Sequence, residues 1–336
     1  MTAPFLRTNP FLLWVISVFL WLFLFVLSLC VGVASITPFE LLSLLLSPSD
    51  PIERTLIVDI RLPRVLVASL CGAALAASGT ALQSLFHNPL ADPGVLGVSS
   101  GAGLAAVLGM LSGLATHSPY VIPISSALGA MIISLILIAI TIYRGHSRAV
   151  ILIVGVALST FCSALTSLAL ALGSSRFFLA QEMLYWLLGN LDARTWDHVW
   201  AGLIPITGAS LALHLQNREL DALQLGATQA EILGVDLQRT QAIILATSSI
   251  LVGTSVSIAG PIAFVGLLVP NIARTLVGGL HRALLPTAML WGALLVLASD
   301  LLARTIIRGE EIPIGVITGL LGAPALLVVA RRHGIL

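Results

Sequence analysis

Long apolar stretches separated by short polar punctuation run along the whole chain, and most have the length of a bilayer crossing. About ten are expected as helices, near 11–33, 63–84, 94–112, 121–143, 149–172, 195–215, 240–259, 262–278, 284–304 and 313–331. The first has an apolar core of about 20 residues, too long for the h-region of a secretory signal. No convincing small-residue cleavage site follows it, so it reads as a retained first helix. The expected fold class is all-α: a polytopic membrane protein of about ten transmembrane helices, one domain over 1–336.

Small residues recur inside the apolar runs at helix-packing spacing. Gly97 and Gly101 form one GxxxG, Gly315 and Gly319 another, and Gly72, Ala76 and Gly79 line a third run. Lipid supplies no hydrophobic drive between helices, so small residues that let backbones touch are expected to pack rather than to bind. Breaks fall at Asn88-Pro89 through Asp92-Pro93-Gly94, at Gly260-Pro261 and at Pro270-Asn271. Irregular backbone there must be shielded inside the bundle or at its ends, where pathways and gates lie.

One stretch is too polar and too long for a simple turn: 216–240, QNRELDALQLGATQAEILGVDLQRT. Leu220, Leu223, Leu225, Ile232, Leu233 and Leu237 interleave with charges, and Gly226 and Gly234 punctuate it, which predicts two short amphipathic helices. They either dock a cytoplasmic partner or merely cover the bundle at the interface.

Composition agrees with the pattern: 58% hydrophobic and 9% charged residues, with mean hydropathy +1.06, exclude an ordinary soluble domain. All 16 basic residues are arginine. A phosphate-cradling P-loop needs its lysine, so no standard ATPase site exists in this chain, and nucleotide energy must come from another subunit. Cys30, Cys71 and Cys162 lie in apolar runs without CxxC pairing, and the seven histidines lack metal-ligand spacing. No catalytic or metal site is expected.

An even helix count puts both termini on one side, and arginine in short loops makes that side cytoplasmic: Arg7, Arg144, Arg148, Arg218, Arg239, Arg274, Arg282, Arg331 and Arg332. The outer side then holds Arg54, Arg61, Arg64, Arg176, Arg194, Arg304 and Arg308, more than the rule favours, beside many carboxylates. Near the middle of the spans no Asp, Glu, Arg or His is expected, which weighs against a proton-coupled secondary transporter.

The string RLPRVLVASLCGAALAASGTALQSLFHNPLADPGVLGVSSGAGLAA from Arg61 resembles the opening block of the iron-complex and cobalamin ABC importer permeases. WLLGNLDARTW from Trp186, LQLGATQAEILGVD from Leu223, SIAGPIAFVGLLVPNIAR from Ser257 and EIPIGVITGLLGAP from Glu311 follow in the same order. The resemblance covers nearly everything after the first helix. It implies a type II ABC importer permease fold in a bacterial cytoplasmic (inner) membrane. The implied partners are a second permease copy (homodimer, or a paralogue), two ATP-binding cassette subunits that use ATP and Mg, and a periplasmic or lipid-anchored substrate-binding protein. It implies no cofactor on this chain and no nucleic-acid partner.

The resemblance also implies site residues. Gly226, Ala227, Glu231, Leu233 and Gly234 would form coupling helices seated in the ATPase. Arg61, Arg64 and Arg304, with Arg308 as a neighbouring alternative, would meet glutamates of the binding protein as bidentate forks. The alternative for these arginines is packing against local Asp59 or Asp300. Asn88, Leu90, His146 and Ser147 match cytoplasmic gate positions, although His146 stands where small hydroxyl residues are usual. The expected cargo is an iron(III)-siderophore, with haem or cobalamin as alternatives.

Overall fold

The computed structural model describes residues 10–32, 36–41, 51–144, 148–307 and 310–332. Its helices begin with α1 (Pro10–Cys30), the short α2 (Pro51–Thr55), α3 (Leu62–Leu85), α4 (Val98–Leu111), α5 (Val121–Arg144) and α6 (Arg148–Gly173). Then come α7 (Phe177–Leu187), α8 (Trp196–Leu215), α9 (Asn217–Leu223), α10 (Ala227–Ile232) and α11 (Leu237–Ala259). The chain closes with α12 (Val265–Val277), α13 (His281–Thr305) and α14 (Ile314–Arg332).

Among the described residues seven helices are long and apolar enough to cross a membrane: α1, the run through α2 and α3, α5, α6, α8, α11 and α13. The shorter apolar helices α4, α12 and α14 occupy the remaining three expected places. Two features depart from the sequence expectation. The second span continues upstream through a π-turn, Leu56–Arg61, into α2, and α7 is an extra helix before α8. The interior breaks explain the short helices. Asp92 caps a 3₁₀ turn, Pro93–Leu96, and Gly97 is left-handed (φ 78°), so α4 starts at Val98. Before α12, Gly260 has φ 72° and Phe264 φ 66°, which delays that helix to Val265.

α3 is the hub. Its sequence is small on almost every side, and its residues are buried nearly throughout, against α13, α11, α12 and α8. The close approaches are literal: a Cβ on Gly72 would collide with the Gly292 carbonyl of α13, and one on Gly79 with Gly266 of α12. Gly101 likewise packs against α5 and Gly315 against the Leu188 carbonyl, whereas Gly319 faces open space within this chain. Buried hydroxyls turn back on their own helices, as Thr80 Oγ1 does to the Ala76 carbonyl (2.7 Å) and Ser134 Oγ to the Ala130 carbonyl (2.6 Å). Without water, that is the nearest acceptor available.

The breaks satisfy one another. Asn190 N–H donates to the Ala259 carbonyl (2.9 Å), Ile314 N–H to Gly189 (3.0 Å) and Gly315 N–H to Leu188 (3.0 Å). The ends of α7 and α11 and the start of α14 thereby form one hydrogen-bonded junction, the condition for non-helical backbone inside a membrane bundle. On the outside, α1 presents Phe19 and Phe23, and α6 presents Ile153, Phe161 and Leu168. A lipid solvent tolerates such side chains.

Candidate functional site: two polar ends and an open face

The first end is where α3 begins and α13 finishes. Arg64 is buried there, its Nη2 2.9 Å and its Nε 3.0 Å from Asp300 Oδ1, and its Nη1 2.9 Å from Glu311 Oε2. Asp192 lies farther off, at 3.8 Å. Arg304 Nη2 pairs with Asp300 Oδ2 at 3.1 Å and donates to Ser28 Oγ at 2.7 Å, while its Nη1 donates to the Val31 carbonyl at 3.2 Å. Arg61 Nη1 donates to the carbonyls of Leu29 (2.6 Å) and Cys30 (3.3 Å). Two guanidinium groups thus satisfy the carbonyls that the C-terminus of α1 leaves without helical partners, and their charge opposes the negative end of its dipole.

The three arginines expected as outward forks are therefore turned inward. Burial against orphaned carbonyls and against Asp300 outweighs display to solvent. Of the two local carboxylates expected as alternatives, Asp300 takes the role; it is fully buried, while Glu311 and Asp192 form the accessible rim. Arg308 lies outside the described residues. The sequence named Asp300 as a local partner but not its complete burial. It sits near the end of α13 between Arg64 and Arg304, paired with both.

The second end carries α9 and α10. Gly226, at φ 110°, separates them. At the close of α10, Gly234 N–H bonds to the Glu231 carbonyl (2.9 Å) and Val235 N–H to Ala230 (3.0 Å), a left-handed glycine stop. Asp236 then caps α11 by accepting from Arg239 N–H at 3.0 Å. Ala230 anchors α10 inward, whereas Glu231, Leu233 and Gly234 are exposed and Gly226 and Ala227 half-buried. Leu225, Ile232 and Leu233 are 62%, 80% and 63% exposed, an apolar patch on an otherwise polar surface.

Between this segment and α3 lies the turn of Asn88 and Leu90. Leu90 N–H donates to Asn88 Oδ1 at 2.9 Å, an Asx turn, and Asn88 N–H to the Gln83 carbonyl at 3.1 Å. α12 pins the turn: Asn271 Nδ2 donates to the Pro89 carbonyl (2.8 Å), and Arg274 Nη1 to Gln83 Oε1 (2.8 Å). Sequence reading missed these pins; the polar pair inside the otherwise apolar α12 was the signal. Gln83, His87, Asn88, Gln224 and Arg274 line a cleft of about 230 Å³. His146 and Ser147 lie outside the described residues.

A third region is the side of the bundle formed by α4, α6 and the junction of breaks. Two adjoining cavities, of about 250 and 340 Å³, share Ser99, Leu187 and Pro261. Ser100, Ser163, Thr166 and Ser167 add hydroxyls, and Asp92 is the charged group at its edge. Burial pushes the Asp92 carboxyl above its usual range, against the pull of the Gly94 N–H that it accepts at 2.7 Å. Hydroxyls without fixed charge offer weak, exchangeable contacts, which suit passage better than capture.

Helices of spanning length, paired breaks and a hydroxyl-lined open face are the features of a membrane permease subunit. The chain belongs to the FecCD transport family, whose pattern matches residues 20–332. It is 38% identical to the vitamin B12 import system permease protein BtuC of Vibrio vulnificus, over 91% of this chain and 90% of that one. With the Fe(3+) dicitrate transport system permease protein FecC of Escherichia coli it shares 37% identity, over 97% and 98%. An uncharacterized ABC transporter permease protein, YvrB of Bacillus subtilis, is 38% identical over 84% and 81%. A solved inward-facing structure of a metal-chelate type ABC transporter superposes with TM-score 0.84 at 31% identity, covering 94% and 97%. The fold is that of a type II ABC importer permease.

Proposed function

We propose that this chain is the passage-forming subunit of an ATP-driven importer that moves an iron(III)-siderophore inward across a bacterial cytoplasmic membrane. The nearly end-to-end match with an iron-dicitrate permease carries the choice of cargo. The match with vitamin B12 permeases keeps cobalamin as the second reading, and haem, an iron macrocycle of comparable bulk, is the third. Two copies, or one copy and a paralogue, enclose the pathway between their hydroxyl-lined faces. The apolar patch of Leu225, Ile232 and Leu233 seats in the ATPase, which uses ATP and Mg, and both termini lie on that cytoplasmic side, a reading supported by the arginine-rich loops.

A substrate-binding protein docks at the first end. Arg61 and Arg304, spent on α1, keep that surface in shape, while Arg64 receives the partner's carboxylate by exchange with the accessible Glu311. Uptake into proteoliposomes holding the assembled transporter tests the reading, with ferric siderophore, haem and cobalamin compared in the presence of ATP. ATP-dependent accumulation of the ferric complex is expected. Uptake of none of the three would overturn it.

A further inference from the structure

At the second end, three polar side chains from three separate elements form a continuous chain through the bundle. Asp221, on α9, accepts at Oδ1 from the backbone N–H of His281 (2.8 Å) and from its Nδ1 (2.6 Å). The ring of His281, fully buried at the first residue of α13, meets Ser84 Oγ through Nε2 at 2.8 Å. Ser84 is in the last turn of α3, and its carbonyl accepts from His87 N–H (3.2 Å), where the Asn88 turn begins.

The donors can be assigned. A carboxylate that already takes a backbone N–H accepts only, so Nδ1 carries the proton, and with the ring neutral Nε2 receives the Ser84 hydroxyl. That hydroxyl has a second acceptor in reach, the Thr80 carbonyl of its own helix at 3.1 Å. Its single proton serves one or the other. Releasing the ring therefore leaves no orphaned hydroxyl in α3, so the cost of parting falls on the buried Nε2 alone. On the other side, Asp221 serves as an N-terminal cap for α13 supplied by a different element, since Leu280 offers no side-chain cap. A displacement of α9 thus pulls on α13 and on the ring together.

We propose that Asp221, His281 and Ser84 are the positioning residues through which movement of the α9–α10 segment reaches the Asn88 turn. Gln224, just after α9, reinforces the same path by donating to the Gly279 carbonyl (3.0 Å). The inference rests on the reading of α9 and α10 as the seat of an ATPase, and it adds the route from that seat to the gate.

The test uses the transporter assembled with its ATPase in lipid nanodiscs, with the three buried cysteines replaced by alanine and a spin label on His87→Cys. Trapping with ATP and vanadate should change the label's mobility in the parent. Ser84→Ala should reduce that change by about three- to tenfold while ATP hydrolysis continues, and Ser84→Thr should restore it. Asp221→Asn with Ser84→Ala should do no more than the stronger single change, as for two links of one chain. A full label response in both single variants would overturn the route alone. Loss of assembly or of hydrolysis in Ser84→Ala would reduce the chain to a structural role and also overturn it. A parent label indifferent to ATP would sink the route and the ATPase-seat reading together.

Discussion

Arg64 of α3 and Asp300 of α13 meet at 2.9 Å inside the protein, at the end of the helix pair opposite to the contact of Ser84 with His281. The two longest-contacting helices are therefore tied by polar groups at both ends, with Gly72 against Gly292 between them. Asp300 is shared by two arginines, so its loss takes the buried counter-charge from both and leaves Arg64 only the accessible Glu311 and Arg304 only neutral oxygens. Asp300→Ala should destabilise the protein by about 3–5 kcal/mol, the range for breaking a buried pair from one side. Thermal unfolding in detergent measures it, and a midpoint equal to that of the parent would contradict the assignment.

Glu311 competes for Arg64 with any carboxylate arriving from outside. Glu311→Gln should therefore tighten association of the substrate-binding protein by about threefold or more, and Arg64→Ala should weaken it. Binding kinetics on nanodisc-embedded transporter separate the two. Weaker binding in Glu311→Gln would show that the rim carboxylate itself is the docking group.

Contact between α3 and α13 leaves no room for a methyl group. Gly72→Ala should cost about 1–3 kcal/mol through overpacking, whereas Gly319→Ala, facing open space within the chain, should stay within about 0.5 kcal/mol in the isolated subunit. Comparing the two in the same unfolding assay checks that the cost comes from steric contact and not from glycine's place in a helix.

Leu233 is exposed at the close of α10, beyond the anchoring Ala230. Leu233→Asp should leave the bundle folded and abolish co-purification with the ATPase. Retained co-purification would move the seat elsewhere on the second end.

The ten apolar runs were legible because each is a property of consecutive residues: length, hydropathy and the punctuation at Pro93, Gly260 and Pro261 are written locally. The glycine at 72 was legible as a packing residue for the same reason. Asp300 could be named as a local alternative, but which arginines take it, and that Glu311 joins it, could not be read. Arg64 finds Asp300 and Glu311 across more than two hundred residues of chain, and only the antiparallel arrangement of α3 and α13 brings them together. The outward forks came from the family resemblance, which carries positions and not local packing, and the carbonyls at the end of α1 that Arg61 and Arg304 meet leave no mark in the sequence. α7 escaped because it is short, and the upstream extension of α3 because its π-turn does not keep the helical period.

The junction where Leu188, Gly189 and Asn190 meet Ala259, Ile314 and Gly315 also bears on how the protein is made. The carbonyls of Leu188 and Gly189 are made more than a hundred residues before the N–H groups that satisfy them, which belong to the last described helix. Until that helix arrives, two acceptors wait unpaired within the nascent bundle, at a cost that lipid does nothing to relieve. Insertion of the last described helix thus completes hydrogen bonding begun far upstream.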